Sequence, residues 1–365
     1  MKYKLGVAIL VTTGIIGYSQ QKNNISSDGF ITYHVEAELE TDPVVSFDDA
    51  ADDVCIWENK INPSKSLVVG TDKDYGLIVY DLKGKELNQY PLGRTNNVAL
   101  FDSPSVLRNS YPIVCATNRT NETITFAYLL PNGELTNIQN INVNLKEVYG
   151  ITTSVINKIP YIIVSDKRGY VKQYLVDLKN DSLRIALVRT IKFKTIVEGL
   201  VVDENNNKLY VAEENKGLWQ LNAVPGIEKD LKLVLKTNRK NLKPDFEGLA
   251  IRTYPDGSGW IIMSVQELNS YAFIDRISLE VDFLIQIKEG KVDGVQHTDG
   301  LDVSSLKTKK FPNGIFIVQD GENGDEHIKI LSILIGLILK KFLVIEKACF
   351  SSVSRYNWLF NKRAK

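Results

Sequence analysis

A six-bladed β-propeller, all-β and followed by an atypical C-terminal tail, is the fold class that this 365-residue sequence predicts. Three observations predict it. A short apolar run ending in polar residues recurs six times, a second signature interleaves with it at the same step, and no long stretch carries the period of an amphipathic helix. A pair of β-sandwiches is the competing architecture, but it gives no reason for two series to keep one step.

The first series is Leu67–Lys73 (LVVGTDK), Pro112–Arg119 (PIVCATNR), Tyr161–Arg168 (YIIVSDKR), Leu209–Lys216 (LYVAEENK), Trp260–Asn269 (WIIMSVQELN) and Ile315–Asn323 (IFIVQDGEN). β-branched and aromatic residues fill these runs, as pleated strands prefer, and they recur at the spacing of propeller blades. The second series heads β-branched runs at Asp53-Val54, Asn97-Val98, Tyr149-Gly150-Ile151, Glu198-Gly199-Leu200, Glu247-Gly248-Leu249 and Asp299-Gly300-Leu301. A further strand follows most first-series segments, at Leu77–Asp81, Thr123–Leu130, Val171–Leu178, Leu218–Asn222 and Tyr271–Arg276. Turn signals close the units at Lys83-Gly84-Lys85, Pro131-Asn132-Gly133 and Pro255-Asp256-Gly257. No linker interrupts the pattern, so residues 29–327 read as one propeller domain.

The ends differ from this pattern. Lys2 and Lys4 precede an apolar run from Leu5 to Ile16, and small or polar residues follow at Gly17–Ser19. That order is the tripartite pattern of an export signal, expected to span residues 1–19 and to send the chain out of the cell or into the periplasm. The run is short for a membrane span, and residues 20–28 read as a flexible lead-in. Residues 328–365 form an apolar, then basic tail that opens IKILSILIGLIL. Three readings stand for it: a last buried strand, a C-terminal docking helix, or a disturbed reading frame.

Composition narrows the function. Lys+Arg and Asp+Glu both number 44, so there is no electrostatic case for a nucleic-acid partner. The three cysteines Cys55, Cys115 and Cys349 are too scattered for a disulfide framework or a structural zinc site, and three histidines exclude a His-rich metal site. Any metal here is expected to be hard and oxygen-bound. No stable membrane partner is expected, and a closed propeller leans towards a monomer.

In a propeller, equivalent repeat positions converge on the axis. The second series then gathers Asp52 and Asp53, Tyr149, Glu198, Glu247 and Asp299. The first adds Lys73, Arg119, Lys167, Glu213, Glu214, Gln266, Asp320 and Glu322. Carboxylates so crowded repel and raise one another's pKa unless cations neutralise them, and all-oxygen donors suit Ca²⁺. The basic residues beside them suit a highly anionic ligand such as a phosphate ester. No Ser/His/Asp set stands at the repeat positions. Taken singly, each of these residues also has a structural reading, as a strand-end turn residue or a solvated loop cation; it is their common repeat phase that argues for a site.

These residues resemble the β-propeller phytases, the alkaline calcium-dependent 3-phytase family, from about Glu40 to Asn323. The motifs that carry the resemblance are Asp48–Trp57 (DDAADDVCIW), Asn96-Asn97-Val98, Thr117-Asn118-Arg119, Glu147–Gly150, Glu198–Leu200, Leu209–Glu214, Pro244–Leu249, Thr298–Gly300 and Gln319–Asn323. The resemblance implies a secreted phosphoric monoester hydrolase acting on phytate (myo-inositol hexakisphosphate) or calcium phytate, with a calcium-held water as nucleophile. It implies several calcium ions, held by Glu40, Asp49, Asp52, Asp53, the Val98 carbonyl, Glu198, Glu214, Asp245, Glu247, Gln266, Asp293, Asp299, Asp320, Glu322 and Asn323. Asp52, Glu198, Glu214, Lys73 and Tyr149 would be catalytic, and Lys73, Arg119, Tyr149 and Lys167 would bind phosphate. The chain departs from the family pattern at Val54, Asp74, Ala99, Glu267 and His297, and after Asn323. Two alternatives follow: a noncatalytic or decayed calcium propeller that binds anions, and a lactonase-like calcium propeller hydrolase.

Overall fold

The computed structural model describes residues 24–25, 29–47, 50–102, 107, 111–227, 231–238, 242–321 and 330–333. Among them the strands form six sheets, and each sheet is one blade. From the axis outward, the first blade is Ala51–Trp57, Leu67–Asp72, Gly76–Asp81 and Glu86–Pro91. The second is Thr95–Phe101, Ile113–Asn118, Thr123–Leu129 and Leu135–Asn142; the third is Val148–Ile156, Ile159–Asp166, Tyr170–Lys179 and Ser182–Lys192. The fourth is Val197–Asp203, Lys208–Glu213, Gly217–Asn222 and Lys232–Lys236. The fifth begins with Phe246–Thr253, Gly259–Val265, Ser270–Asp275 and Val281–Lys288, and the sixth with Leu301–Ser304 and Ile315–Gln319. The innermost strands touch in chain order, and Leu301–Ser304 returns to Ala51–Trp57, so the ring is closed.

Both ends of the chain complete the outer layer. Ile31–Glu36 lies parallel to Val281–Lys288 on the fifth blade, and Asn24–Ile25 pairs with it in turn. Leu39–Glu40 is the outermost strand of the sixth blade, antiparallel to Ile330–Ile333, which pairs with Ile315–Gln319. The sixth blade thus draws its third strand from beyond residue 327, the boundary that the sequence pattern suggests. The expected signal segment, and the tail after Ile333, lie outside the described residues.

The apolar runs read from the sequence are the second strands, buried along their length because neighbouring blades cover both faces: Leu67–Asp72 and Ile113–Asn118 are buried throughout. Outer strands such as Glu86–Pro91 alternate between half-buried and exposed residues. The core accordingly lies between blades. Val69, Leu77 and Val79 of the first blade pack with Val114, Ala127 and Leu129 of the second, and Ile124 and Phe126 of the second with Ile162, Val164 and Tyr174 of the third.

One irregularity recurs and decides where the site falls. The inner strands of the first five blades lose register between Ala51 and Val54, Thr95 and Val98, Val148 and Ile151, Val197 and Leu200, and Phe246 and Leu249. Each break is a β-bulge, which re-aims a side chain. The residues inside the breaks are Asp52-Asp53, Asn96-Asn97, Tyr149-Gly150, Glu198-Gly199 and Glu247-Gly248. The equivalents of Tyr149 and Glu198 are therefore Asp52 and Asn96. The phase that aligns Asp53 and Asn97 with them is one residue late, because a bulge consumes a residue that strict alternation does not count.

Hydroxyls on second strands lock the bulges. Thr71 Oγ1 accepts from Asp53 N at 2.9 Å. Thr117 Oγ1 accepts from Asn97 N at 3.0 Å and donates to the Tyr149 carbonyl of the next blade at 2.6 Å. Ser165 Oγ accepts from Gly150 N at 2.9 Å and donates to the Val197 carbonyl at 2.6 Å. In the third and fourth blades the second bulge residue approaches the next blade's backbone so closely that a Cβ on Gly150 would lie 1.9 Å from the Glu198 carbonyl, and one on Gly199 2.1 Å from that of Glu247. Only glycine allows that approach.

Candidate active site

Each blade brings two repeat positions to one mouth. The first is the leading bulge residue: Asp52, Asn96, Tyr149, Glu198, Glu247 and, at the head of the sixth blade, Asp299. The second follows the residue that ends the second strand: Lys73, Arg119, Lys167, Glu214, Gln266 and Asp320. Backbone bonds fix five of the latter, with Lys73, Arg119, Lys167, Glu214 and Gln266 donating their N–H to Ala50, Arg94, Glu147, Ile196 and Asp245 respectively. Polar strand ends hold the turns. Asp72 accepts from the backbone N–H of Ser46, Asp74 and Tyr75, and Asp166 from those of Arg168 and Tyr170.

At the centre, carboxylate oxygens of Asp52, Glu198 and Asp299 lie within 4.8 Å of one another, as do those of Glu198, Glu214 and Glu247. All five residues are buried. Lys73 Nζ sits 3.0 Å from Asp52 Oδ1 and 3.6 Å from Asp299 Oδ2. Lys167 Nζ stands 4.4 Å above the Tyr149 ring. Asp53 Oδ2 accepts from Val98 N at 3.0 Å, which brings together two residues that the family resemblance makes joint calcium ligands. Asp245 and Gln266 are likewise joined by a backbone bond of 3.1 Å.

The mouth holds more negative charge than its cations neutralise. Burial, then the nearby Asp52, raises the pKa of Glu198, against hydrogen bonds from Glu247 and Tyr149. Burial, then Glu198, holds Glu247 well above the ordinary range. Burial raises Asp53 well above its usual value in spite of the backbone donors Val98 and Val54. Glu214 is pushed up to about 7, by burial first and Glu198 second. Burial and then Glu267 raise Asp245. Burial also drives the Tyr149 phenol far upward, so it stays a hydrogen-bond donor. The Oε2 atoms of Glu198 and Glu247 are buried with no hydrogen-bond partner. Converging hard oxygen donors with unused lone pairs suit a divalent cation of the calcium type.

Other expected residues lie elsewhere or differ in role. Glu213 is not in the mouth: its Oε1 accepts from Lys194 N, Thr195 N and Thr195 Oγ1, and its Oε2 from Trp219 Nε1, so it ties the blade's own turns. Glu40 is on the outermost strand of the sixth blade, away from the central group. Asp320 is buried and accepts from Gln296 N at 2.9 Å, while Asp293 is exposed in the loop leading to the sixth blade. Asp49, Glu322 and Asn323 lie outside the described residues.

Asn96 is the site residue that the sequence reading missed. It is buried, and its Nδ2 lies 2.7 Å from Asp52 Oδ2 and 3.0 Å from Glu198 Oε1, while its Oδ1 accepts from Arg119 at 3.1 Å. Aligning its blade on the bulge instead of on the β-branched run would have found it.

The sequence profile of the Phytase family matches residues 5–332. A 3-phytase of Bacillus subtilis (strain 168) is 39% identical over 308 residues, 80% of this chain and 80% of that protein. Among solved structures, the β-propeller domain of Cps50 (Swd1) from Myceliophteria thermophila superposes with a TM-score of 0.50 at 11% identity, over 80% of this chain and 99% of that one. At that identity the likeness concerns the fold alone.

Proposed function

This chain belongs to the phytase family, and from that premise we propose that it is an exported, calcium-dependent 3-phytase that hydrolyses phosphomonoesters of phytate. One observation carries the reading. The mouth's three cations, Lys73, Arg119 and Lys167, all come from the first three blades, while four of its five clustered carboxylates, Glu198, Glu214, Glu247 and Asp299, come from the last three and the fifth, Asp52, pairs with Lys73. Half of the mouth suits phosphate and the other half suits the cations that would share it.

Asp52, Glu198, Glu214, Glu247 and Asp299 would hold calcium, with Asp245 and Gln266 at the rim. Calcium, when bound, supplies neutralisation of developing charge on a phosphoryl group and acidification of water. The chain's own groups do the rest. Lys73 is aimed at the mouth by Asp52, and Arg119 by Asn96, so both cations are oriented before a phosphate arrives. Tyr149, fixed beneath Lys167, keeps its proton and offers it to an oxygen as a hydrogen bond. Asp53 and Val98 hold the first bulge against the second and keep the carboxylates in register. The pattern of residues 1–19 supports export.

The test is inorganic phosphate release from myo-inositol hexakisphosphate by the refolded chain, with calcium and with excess chelator. Release with calcium that stops on chelation is expected. No release with calcium, or undiminished release in chelator, would overturn the reading.

A further inference from the structure

Arg168 and Lys192 belong to the third blade, which also supplies Lys167, but are not among the mouth's paired positions. Arg168 follows Lys167 in the top turn of the third blade, and Lys192 ends that blade's outermost strand. Both side chains gather on Tyr170: the Arg168 guanidinium carbon is 5.3 Å from the ring centroid and Lys192 Nζ is 4.7 Å from it. Lys192 Nζ also donates to the carbonyls of Arg168 and Phe193. Arg168 is braced from behind, where its Nε and one terminal nitrogen reach Asp166 Oδ2 at 3.0 and 2.7 Å.

Two like charges are thus collected on one ring; Asp166 pairs directly with Arg168, and Glu122 attracts it from farther away. Asp166 is buried, and its Oδ1 is committed to the backbone N–H of Arg168 and Tyr170. Both cations are exposed. An ammonium has three donors and a guanidinium five, so N–H groups on each remain directed at solvent. Pre-organised cations with spare donors recognise a phosphate dianion. Lys167 and Arg168 are consecutive in one turn, so this pair begins one residue from a position that the family resemblance assigns to phosphate.

We propose that Arg168 and Lys192, gathered on Tyr170, form an outer phosphate subsite that binds a phosphate other than the one cleaved and so favours highly phosphorylated inositols over substrates with one phosphate. This rests on the phytase reading and adds to it a specificity determinant outside the central mouth.

The test compares full-length, calcium-loaded wild type with Lys192→Gln, Arg168→Gln, the double variant and Arg168→Lys, using hexakisphosphate and p-nitrophenyl phosphate. For the double variant, KM for hexakisphosphate should rise about tenfold or more with kcat within about twofold. Both constants for p-nitrophenyl phosphate should be unchanged, and Arg168→Lys should recover part of the loss because it keeps the charge. An unchanged KM for hexakisphosphate, or equal losses on both substrates, would overturn the proposal. If the wild type releases no phosphate, the phytase reading fails and calorimetric binding of hexakisphosphate decides the subsite. Weaker binding by the double variant then supports it, and equal binding overturns it.

Discussion

Asn96 is where the two halves of the mouth meet. Its amide nitrogen reaches a carboxylate from the first blade and one from the fourth, and its oxygen receives a guanidinium from its own blade. An amide does both because it carries donors and acceptors on one planar group. Asn96→Ala leaves two buried carboxylate oxygens without that donor, at a cost of about 1–3 kcal/mol. The urea midpoint of the variant should fall accordingly, and KM for hexakisphosphate should rise because Arg119 loses its orientation. An unshifted midpoint with unchanged kinetics would remove Asn96 from the site. Sequence could supply the chemistry of this residue but not its place, since Asn96 and Asn97 are alike in type and only the bulge decides which one reaches the axis.

At the scale of elements, blades are held to one another by specific polar links as well as by apolar packing. Arg276 at the end of the fifth blade's third strand pairs with Asp203 of the fourth at 2.5 Å, and both side chains are 1% exposed. Arg252 of the fifth blade donates to the Ser304 and Asn313 carbonyls of the sixth. Removing one member of a buried pair strands the other charge, so Arg276→Leu should destabilise the fold by about 3–5 kcal/mol, and Arg276→Leu with Asp203→Leu by less. Chemical denaturation of the two variants checks this; a double variant no more stable than the single one would contradict it. The second strands were legible because burial on both faces makes them continuous apolar runs. The third strand of the sixth blade was legible only as one of three readings of the tail, and the strands at residues 31–36 and 39–40 were not legible. Their partners lie almost a whole chain away, and local pattern carries no record of so distant a pairing. Glu213 misled for a related reason: it shares a repeat position with Asp72 and Asp166, which hold turns, while the neighbouring Glu214 faces the mouth.

Across the whole molecule, formal neutrality conceals an uneven division about one axis, with the mouth's cations on the first three blades and all its clustered carboxylates but Asp52 on the last three. Crowding makes the fold sensitive to pH when no cation is present. A carboxyl whose pKa is higher folded than unfolded favours the fold most below its unfolded value, and that contribution is lost as pH rises through the folded one. For Glu214 the window runs from 4.5 to about 7, and Glu198, Glu247 and Asp53 shift in the same direction. Calcium-free protein should therefore melt at a lower temperature near pH 8 than near pH 5, and saturating calcium should remove or reverse the difference, since it binds the ionised groups. Calorimetry at both pH values with and without chelator checks this, and a calcium-free melting temperature that rises with pH would contradict it.

The outer layer of the last two blades is finished by residues 31–36 and 39–40, and the last blade also needs residues 330–333. A growing polypeptide therefore cannot finish its last blade until residues 330–333 are made and the strand at residues 39–40, laid down almost a whole chain earlier, has paired with them.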